Sequence, residues 1–482
     1  FRRVLFRPLF SGNNLANITL HVPNYLVNTY KQDSYWYNCN VVGFSTEDIK
    51  KWIIHQPLVL HDDERLEGNP DITVQWSSAS INIKGDNAQT FNDIFVDWCS
   101  QIIAEGDNVK INGEYTHCYQ SDKNYWYFVS LPFDFKVGDI KTVNGSQYAI
   151  RYYDGANRAE NGSGGNWKNY KADDIVKAGT GFIYQTSKTD YSFFYAQDNA
   201  SKQNIVSNKE FVKALAAYPS EATANKGWNL VGNPWQSYYN IHKLNFTAPI
   251  TVWNVSSRNY EAYSIIDDDY AIRPNQAFFV QCPDEINSIS FPIDGRQLTS
   301  VIESQNGARS YEASTRKLVD VELTGGELTD KTRLVLNPQA TVDYETTCDA
   351  SKFFSMDANV PQIYSVEGGV QYAINERPAA GGIIQLGILL PANGTYTIKA
   401  VRNELTNVKL YDKQTAQLTD LTAGSYMFNG EAGLTENRFE LRLTDADVTG
   451  IAEMEKSVDG ENGKLFNLKG QRVASPKKGV YV

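Results

Sequence analysis

Five histidines, His21, His55, His61, His117 and His242, lie far apart in the sequence, and none is spaced from a second His or a Glu as in H-E-x-x-H. His61-Asp62-Asp63-Glu64 is the one dense polar cluster with a His in it. It could hold a cation or be a solvated loop. Asp267-Asp268-Asp269 could bind Ca²⁺, yet the run lacks the alternate spacing and the Gly of an EF-hand loop. A solvated turn is the competing reading. The five cysteines, Cys39, Cys99, Cys118, Cys282 and Cys348, are odd in number and contain no C-x-x-C, so a zinc or thioredoxin-type site has no support. One disulfide among Cys39, Cys99 and Cys118 could form; the alternative is buried thiols acting as small hydrophobes. Neither G-x-S-x-G nor a P-loop occurs. Ser130 has no sequence feature that makes it a nucleophile. The paired carboxylates of a glycosidase must lie ~5–9.5 Å apart in space, and nothing in the sequence selects such a pair. The expectation is therefore a chain with no catalytic residue and no cofactor. Trp167, Tyr170, Tyr260 and Tyr263 could form a platform that stacks on sugar rings. In a β protein rich in Tyr, such residues otherwise serve as core or cross-strand partners.

The elements that must position these residues are mostly strands. With 29 Tyr, 22 Phe and 9 Trp the chain is rich in strand-favouring aromatics, and 34 Gly supply turns between short segments. A length of 482 residues suggests about three domains. The net charge of -11 argues against a phosphate-backbone binder, so no nucleic-acid partner is expected. The longest apolar run, Ile383 to Leu390, is broken by Gln385 and Gly387 and falls far short of the ~20 residues of a transmembrane helix. The opening FRRVLFRPLF lacks signal-peptide organisation and reads as the middle of a longer precursor or the start of a fragment.

Along the chain, residues 18–44 give a strand ending in Val22-Pro23, a short helix-like segment from Tyr25 to Tyr30 and an aromatic stop at Tyr35 to Tyr37. Residues 52–112 carry triplets such as Leu58-Val59-Leu60, Ile72-Thr73-Val74 and Ile81-Asn82-Ile83, which read as short rungs or small antiparallel strands. Phe91 to Cys99 fits a strand or one helical turn equally. An internal duplication follows. Trp126 to Pro132 matches Trp228 to Pro234, Ile150 to Asp154 matches Ile250 to Asn254, Asn166 to Tyr170 matches Asn259 to Tyr263, and Val176 to Gln185 matches Ile272 to Gln281. Each copy reads as a β-meander, and two packed copies would form a sandwich or distorted barrel. Residues 206–224 read as a short helix between the copies. Residues 298–312 read as a boundary. From Lys317 to Thr444, strands separated by Gly325-Gly326, Asn393-Gly394 and Asn429-Gly430 read as one antiparallel sandwich of jelly-roll type.

Four parts of this pattern resemble known bacterial surface proteins. Leu20, Val22, Pro23, Tyr30, Trp36 and Phe44 resemble the terminal repeat of bacterial surface leucine-rich-repeat proteins. Asp349-Ala350-Ser351-Lys352-Phe353, Ala373 to Pro378, Leu386-Gly387, Gly394 to Ile398, Leu410 to Lys413, Asp420-Leu421 and Arg438-Phe439 resemble the domain that precedes the sorting segment of large surface and secreted proteins of anaerobic Gram-negative bacteria. Lys464 to Val473 and Lys478 to Tyr481 are similar to the sorting segment itself, which the resemblance links to the type nine export route. The duplicated region also looks like the middle of such proteins. The resemblance implies a secreted or outer-membrane cell-surface location and transfers no catalytic residue.

Together these readings give a mainly β chain: tandem antiparallel sandwich or jelly-roll domains behind a short solenoid-like, leucine-rich-repeat-like portion. The expected domains are 1–50, the repeat-like segment; 51–118, the short-stranded region; 119–297, the duplicated domain with units 124–190 and 226–285; 313–445, the C-terminal sandwich; and 450–482, a linker with a truncated sorting-like segment. The expected function is a non-enzymatic extracellular or cell-surface binding or adhesion protein with a protein or glycan partner. The alternative is the carbohydrate-binding region of a larger secreted glycan-degrading enzyme. Because His and Cys are scattered, elemental analysis of the dialysed protein is expected to show no stoichiometric zinc or other transition metal; one equivalent would overturn this reading.

Overall fold

The computed structural model describes residues 16–302 and 316–444, less 17, 34–35, 46–48, 63, 284–285 and 379–381, together with the paired two-residue strands Leu465–Phe466 and Arg472–Val473. The rest of the sorting-like segment lies outside the described residues, as does the run 1–15. The protein is mainly β and divides into two compact units, Phe1–Ala308 with Glu345–Asp357, and Arg309–Tyr344 with Ala358–Val482. The expected uninterrupted domain 313–445 is thus corrected. Residues 345–357 belong to the first unit because Phe353 packs into that unit's aromatic core.

The first unit opens with short strands that stack in parallel. Thr19–Pro23 pairs with Asn40–Phe44. Lys51–Ile54, Asp71–Val74, Ile94–Asp97 and the start of Tyr115–Ser121 form one stack. Pro57–Leu60, Ser80–Ile83 and Gln101–Ala104 form a second, and Thr90–Phe91 with Lys110–Ile111 a third. Partners such as Ile72 with Ile94, and Ile94 with Tyr115, are one turn of the chain apart, so residues 52–112 hold parallel rungs and not small antiparallel strands. The cause is the repeated placement of inward β-branched residues. Ile72, Val74, Ile94, Val96, Ile81, Ile83 and Ile102 bury their side chains in one shared core, with Ile72 on Ile94, Val74 on Val96 and Ile81 on Ile102 in the next turn. Buried amides tie the connecting loops: Gln89 accepts from the Leu66 amide (2.8 Å) and donates to its carbonyl (3.1 Å). Tyr25–Tyr30 is a 3₁₀ turn, Asn24–Leu26, running into a helix, Val27–Gln32. Phe91–Cys99 holds the end of the strand Thr90–Phe91 and the whole of the strand Ile94–Asp97.

The two duplicated copies have the same strand order. In the first copy it is Tyr127–Val129, Phe182–Thr186, Tyr148–Tyr153, Trp167–Asn169; in the second, Trp228–Gly232, Ala277–Gln281, Ile250–Asn254, Asn259–Tyr263. All pairs are antiparallel, and registers correspond, as in Phe128 with Ile183 and Leu230 with Phe279. The repeat is larger than the sequence suggested. Tyr115–Ser121 pairs with Asp190–Tyr195, and Phe211–Ala214 pairs equivalently with Ser288–Phe291. The expected boundary at 118/119 therefore cuts a strand. Nor is 206–224 a helix. The helix is Asn199–Ile205, and within 206–224 Phe211–Ala214 forms a strand because the edge of Ser288–Phe291 claims its backbone.

The copies join through a pseudo-two-fold exchange of backbone bonds. Ser130 N–H donates to Asn275 O (3.0 Å), and Gly232 N–H donates to Gly179 O (3.1 Å). Single bridges link Val129 to Gln276 and Val231 to Thr180. Ser130 and Gly232 hold equivalent places, and a Cβ on Gly232 would overlap Ser130 Cβ.

The second unit is one continuous path of ten strands. Its order is Gln417–Asp420, Asn407–Asp412, Gly433–Thr444, Ile383–Leu390, Gln362–Glu367, Val370–Arg377, Leu328–Leu336, Lys317–Gly325, Gly394–Asn403, Ser425–Gly430. Leu328–Leu336 and Val370–Arg377 run parallel, so the sheet is not wholly antiparallel as expected. Val319, Val321, Leu334, Ile363, Leu386, Ile388, Phe439 and Leu441 fill its core. A buried Asp320–Arg333 pair (2.6 and 2.9 Å) and Asp412, held by Arg438 and Tyr426, satisfy the charges within the sheet.

Gly232→Ala is expected to lower unfolding free energy in urea by about 1–3 kcal/mol through overpacking. Adding Ser130→Gly should recover most of the loss, since it clears the same space from the other side.

Candidate functional site

The acidic run is occupied by its own loop. Asp267 accepts the Ser264 hydroxyl (2.8 Å), Asp268 accepts the Ser264 amide (2.8 Å), and Asp269 lies 2.8 Å from His242 Nε2. These bonds make it a local cap for the turn after Asn259–Tyr263. The His61 cluster is likewise engaged, with Glu64 buried and accepting from the His61 amide and the Thr29 hydroxyl, both at 2.9 Å. No group of three metal-ligating side chains occurs among the described residues. No disulfide joins the five cysteines, and Cys39, Cys118 and Cys282 are buried.

The four aromatics proposed as a sugar platform do not share a surface. Trp167 packs edge-on to Phe128 (5.6 Å) and Tyr153 (5.1 Å). Tyr260 is buried against Trp253 (5.0 Å) and Phe353 (5.2 Å). Tyr170 lies on Tyr152, and Tyr263 stacks on Tyr270 at 4.2 Å. All four act as core or cross-strand partners.

A different aromatic pair faces solvent. Ile72-Thr73-Val74-Gln75-Trp76 and Ile94-Phe95-Val96-Asp97-Trp98 repeat one pattern on adjacent rungs. The Ile and Val of each point into the core, and the chain then turns so that the indoles leave it. Trp76 is 55% exposed and Trp98 39%. Trp76 sits at φ +88°, a left-handed conformation that bulky residues avoid; holding it there costs on the order of 1–3 kcal/mol. Its ring stacks on His55, with centroids 4.1 Å apart at 30°. Its carbonyl accepts from the Ala79 amide (2.9 Å) and the Ser100 hydroxyl (3.1 Å). The Trp98 amide donates to Asp97 Oδ1 (2.8 Å), and its carbonyl accepts from Asn275 Nδ2 (3.2 Å). The backbone of this corner is thus fixed from both sides while the rings stay in water. Gln56, Ser77 and Ser78 are exposed around them, with Gln75 and Asp97 half-buried. Burial, reinforced by Asp97, pushes the neighbouring Cys99 thiol up to about 11, so it stays protonated near neutral pH. The sequence reading noted the triplet Ile72-Thr73-Val74 but missed the recurrence of Ile-x-Val-x-Trp one turn later, which was the available signal.

The chain matches the model of a family described as a domain of unknown function (DUF8693) over residues 236–443. No curated protein matches it. The matched stretch begins inside the second copy and ends in the strand Gly433–Thr444, so the tryptophan corner lies outside it.

One titratable group sits in the same stack. His117 is fully buried between register partners Val96 and Phe194, with Tyr119 beside it at 6.3 Å, and neither ring nitrogen has a partner among the described residues. Burial pulls its pKa down to about 3. The unfolded chain takes up a proton near pH 6.5 and the folded chain does not, so acid favours unfolding. Stability should fall as pH drops from about 6.5 towards 3, by up to about 1.4 kcal/mol per pH unit from this group. Urea unfolding at pH 4.5–7.5 should show a shallower acid slope for His117→Phe than for wild type.

Proposed function

We propose that this chain is a non-enzymatic binding or adhesion protein, secreted or held at the cell surface, that presents its ligand site on the first unit. The observation that carries this reading is the solvent-facing corner of Trp76, His55 and Trp98. Large aromatic rings on a rigid frame lose little conformational freedom when a partner covers them, which is what a recognition surface needs. A backbone strained at Trp76 is retained at the expense of stability, a pattern associated with function. The likeness of the C-terminal strands to those of bacterial surface proteins supports the location. The alternative, the carbohydrate-binding region of a larger secreted enzyme, draws on the same corner and differs in what else the longer protein would carry.

The test is a binding array of extracellular-matrix proteins and soluble glycans probed with the full chain. Saturable binding to at least one probe, weakened about tenfold or more in Trp76→Ala, is the expected result. No binding, or equal binding by the variant, would overturn the proposal.

A further inference from the structure

We propose that the corner binds a neutral saccharide chain, with pyranose rings stacked on Trp76 and Trp98; this rests on the binding-protein reading above. A pyranose offers an apolar C–H face and an edge of hydroxyls. Its complement is an aromatic face bordered by polar side chains with hydrogen bonds still to make. The corner has that composition. His55 covers one face of the Trp76 indole, which leaves the opposite face to solvent. Trp98 follows Val96 by two residues as Trp76 follows Val74, and Val74 and Val96 are register partners on adjacent strands, which are spaced ~4.8 Å apart. Gln56, Gln75 and Ser77 make no side-chain hydrogen bond among the described residues, whereas the backbone amide of Trp98 and the carbonyls of both tryptophans are bonded. Hydrogen-bonding capacity is therefore spent on the frame and left open at its edge.

A protein partner would favour a continuous apolar centre ringed by polar residues. Here Trp76 is followed by exposed Ser77 and Ser78 and Trp98 is preceded by half-buried Asp97, so each indole is flanked along the chain by polar residues and not by apolar ones. The net charge of -11 disfavours acidic polysaccharides and points to neutral ones. The strain at Trp76 supplies an independent handle. Glycine adopts φ +88° without penalty. Trp76→Gly should therefore fold at least as stably as wild type while losing the stacking face.

The experiment is affinity electrophoresis of the full chain in gels containing a soluble β-glucan, xylan, galactomannan or, as the acidic control, hyaluronan, with thermal unfolding run beside it. At least one neutral polysaccharide should retard the wild type. Trp76→Gly, or Trp98→Ala as the second variant, should weaken retardation about tenfold or more with the melting temperature held. Absence of retardation by every neutral polysaccharide, or equal retardation of wild type and both variants, would overturn the proposal. If the array finds a protein probe that needs Trp76 while the neutral polysaccharides fail, the saccharide inference falls and the binding-protein reading stands. If neither array nor gels show Trp76-dependent binding, both fall.

Discussion

The first unit depends on how closely its two copies approach at Ser130 and Gly232. Each copy gives one amide to a carbonyl of the other across the pseudo-two-fold, so the two four-stranded sheets are tied by backbone and not by side chains alone. That approach leaves room for one Cβ at the axis, and the second copy supplies the glycine. Because the backbones cross here, Phe128 and Ile183 of the first copy reach Trp228, Leu230 and Phe279 of the second, and the aromatic core becomes continuous.

That core also accounts for residues 345–357. Phe353 stacks on Phe279 at 4.6 Å and meets Trp228 at 4.8 Å. Arg158 closes the cluster. It is almost fully buried, lies 4.4 Å from the Phe353 ring and 4.8 Å from Trp228, and donates to Ser351 Oγ (3.0 Å) and Tyr153 Oη (3.1 Å). No carboxylate pairs with it among the described residues. A desolvated guanidinium is held here by ring faces and neutral oxygens, an arrangement suited to Arg and not to Lys. It makes a stretch distant in sequence part of the first unit's interior.

The stacked rungs solve a different problem. Their core needs only β-branched residues at alternate positions, which leaves the corner between stacks to be decided by the turn. The turn at Trp76 is closed by the Ala79 amide and the Ser100 hydroxyl, and its ring is backed by His55. Inside the stack the same packing leaves the His117 imidazole without a hydrogen-bond partner among the described residues.

The sequence by itself determined the β class, the duplication and its matched segments, because alternation of buried and exposed residues is written locally and two copies repeat it. Val22, Tyr30 and Trp36 stand out in the sequence as parts of one strand, helix and aromatic stop; that they pack with Cys39 and Val41 in a small core is a finding of the tertiary structure. Only the tertiary structure decided which strands run parallel, since Ile72-Thr73-Val74 reads the same in either sense until its neighbour is known. The stretch 206–224 reads as helix in isolation, yet its Phe211–Ala214 becomes strand because an open sheet edge is beside it. Trp167, Tyr170, Tyr260 and Tyr263 are indistinguishable by type from Trp76 and Trp98. Tyr260 is buried and Trp167, Tyr170 and Tyr263 are half-buried against other rings, whereas Trp76 and Trp98 are exposed; that difference depends on what other segments cover, which no local pattern records.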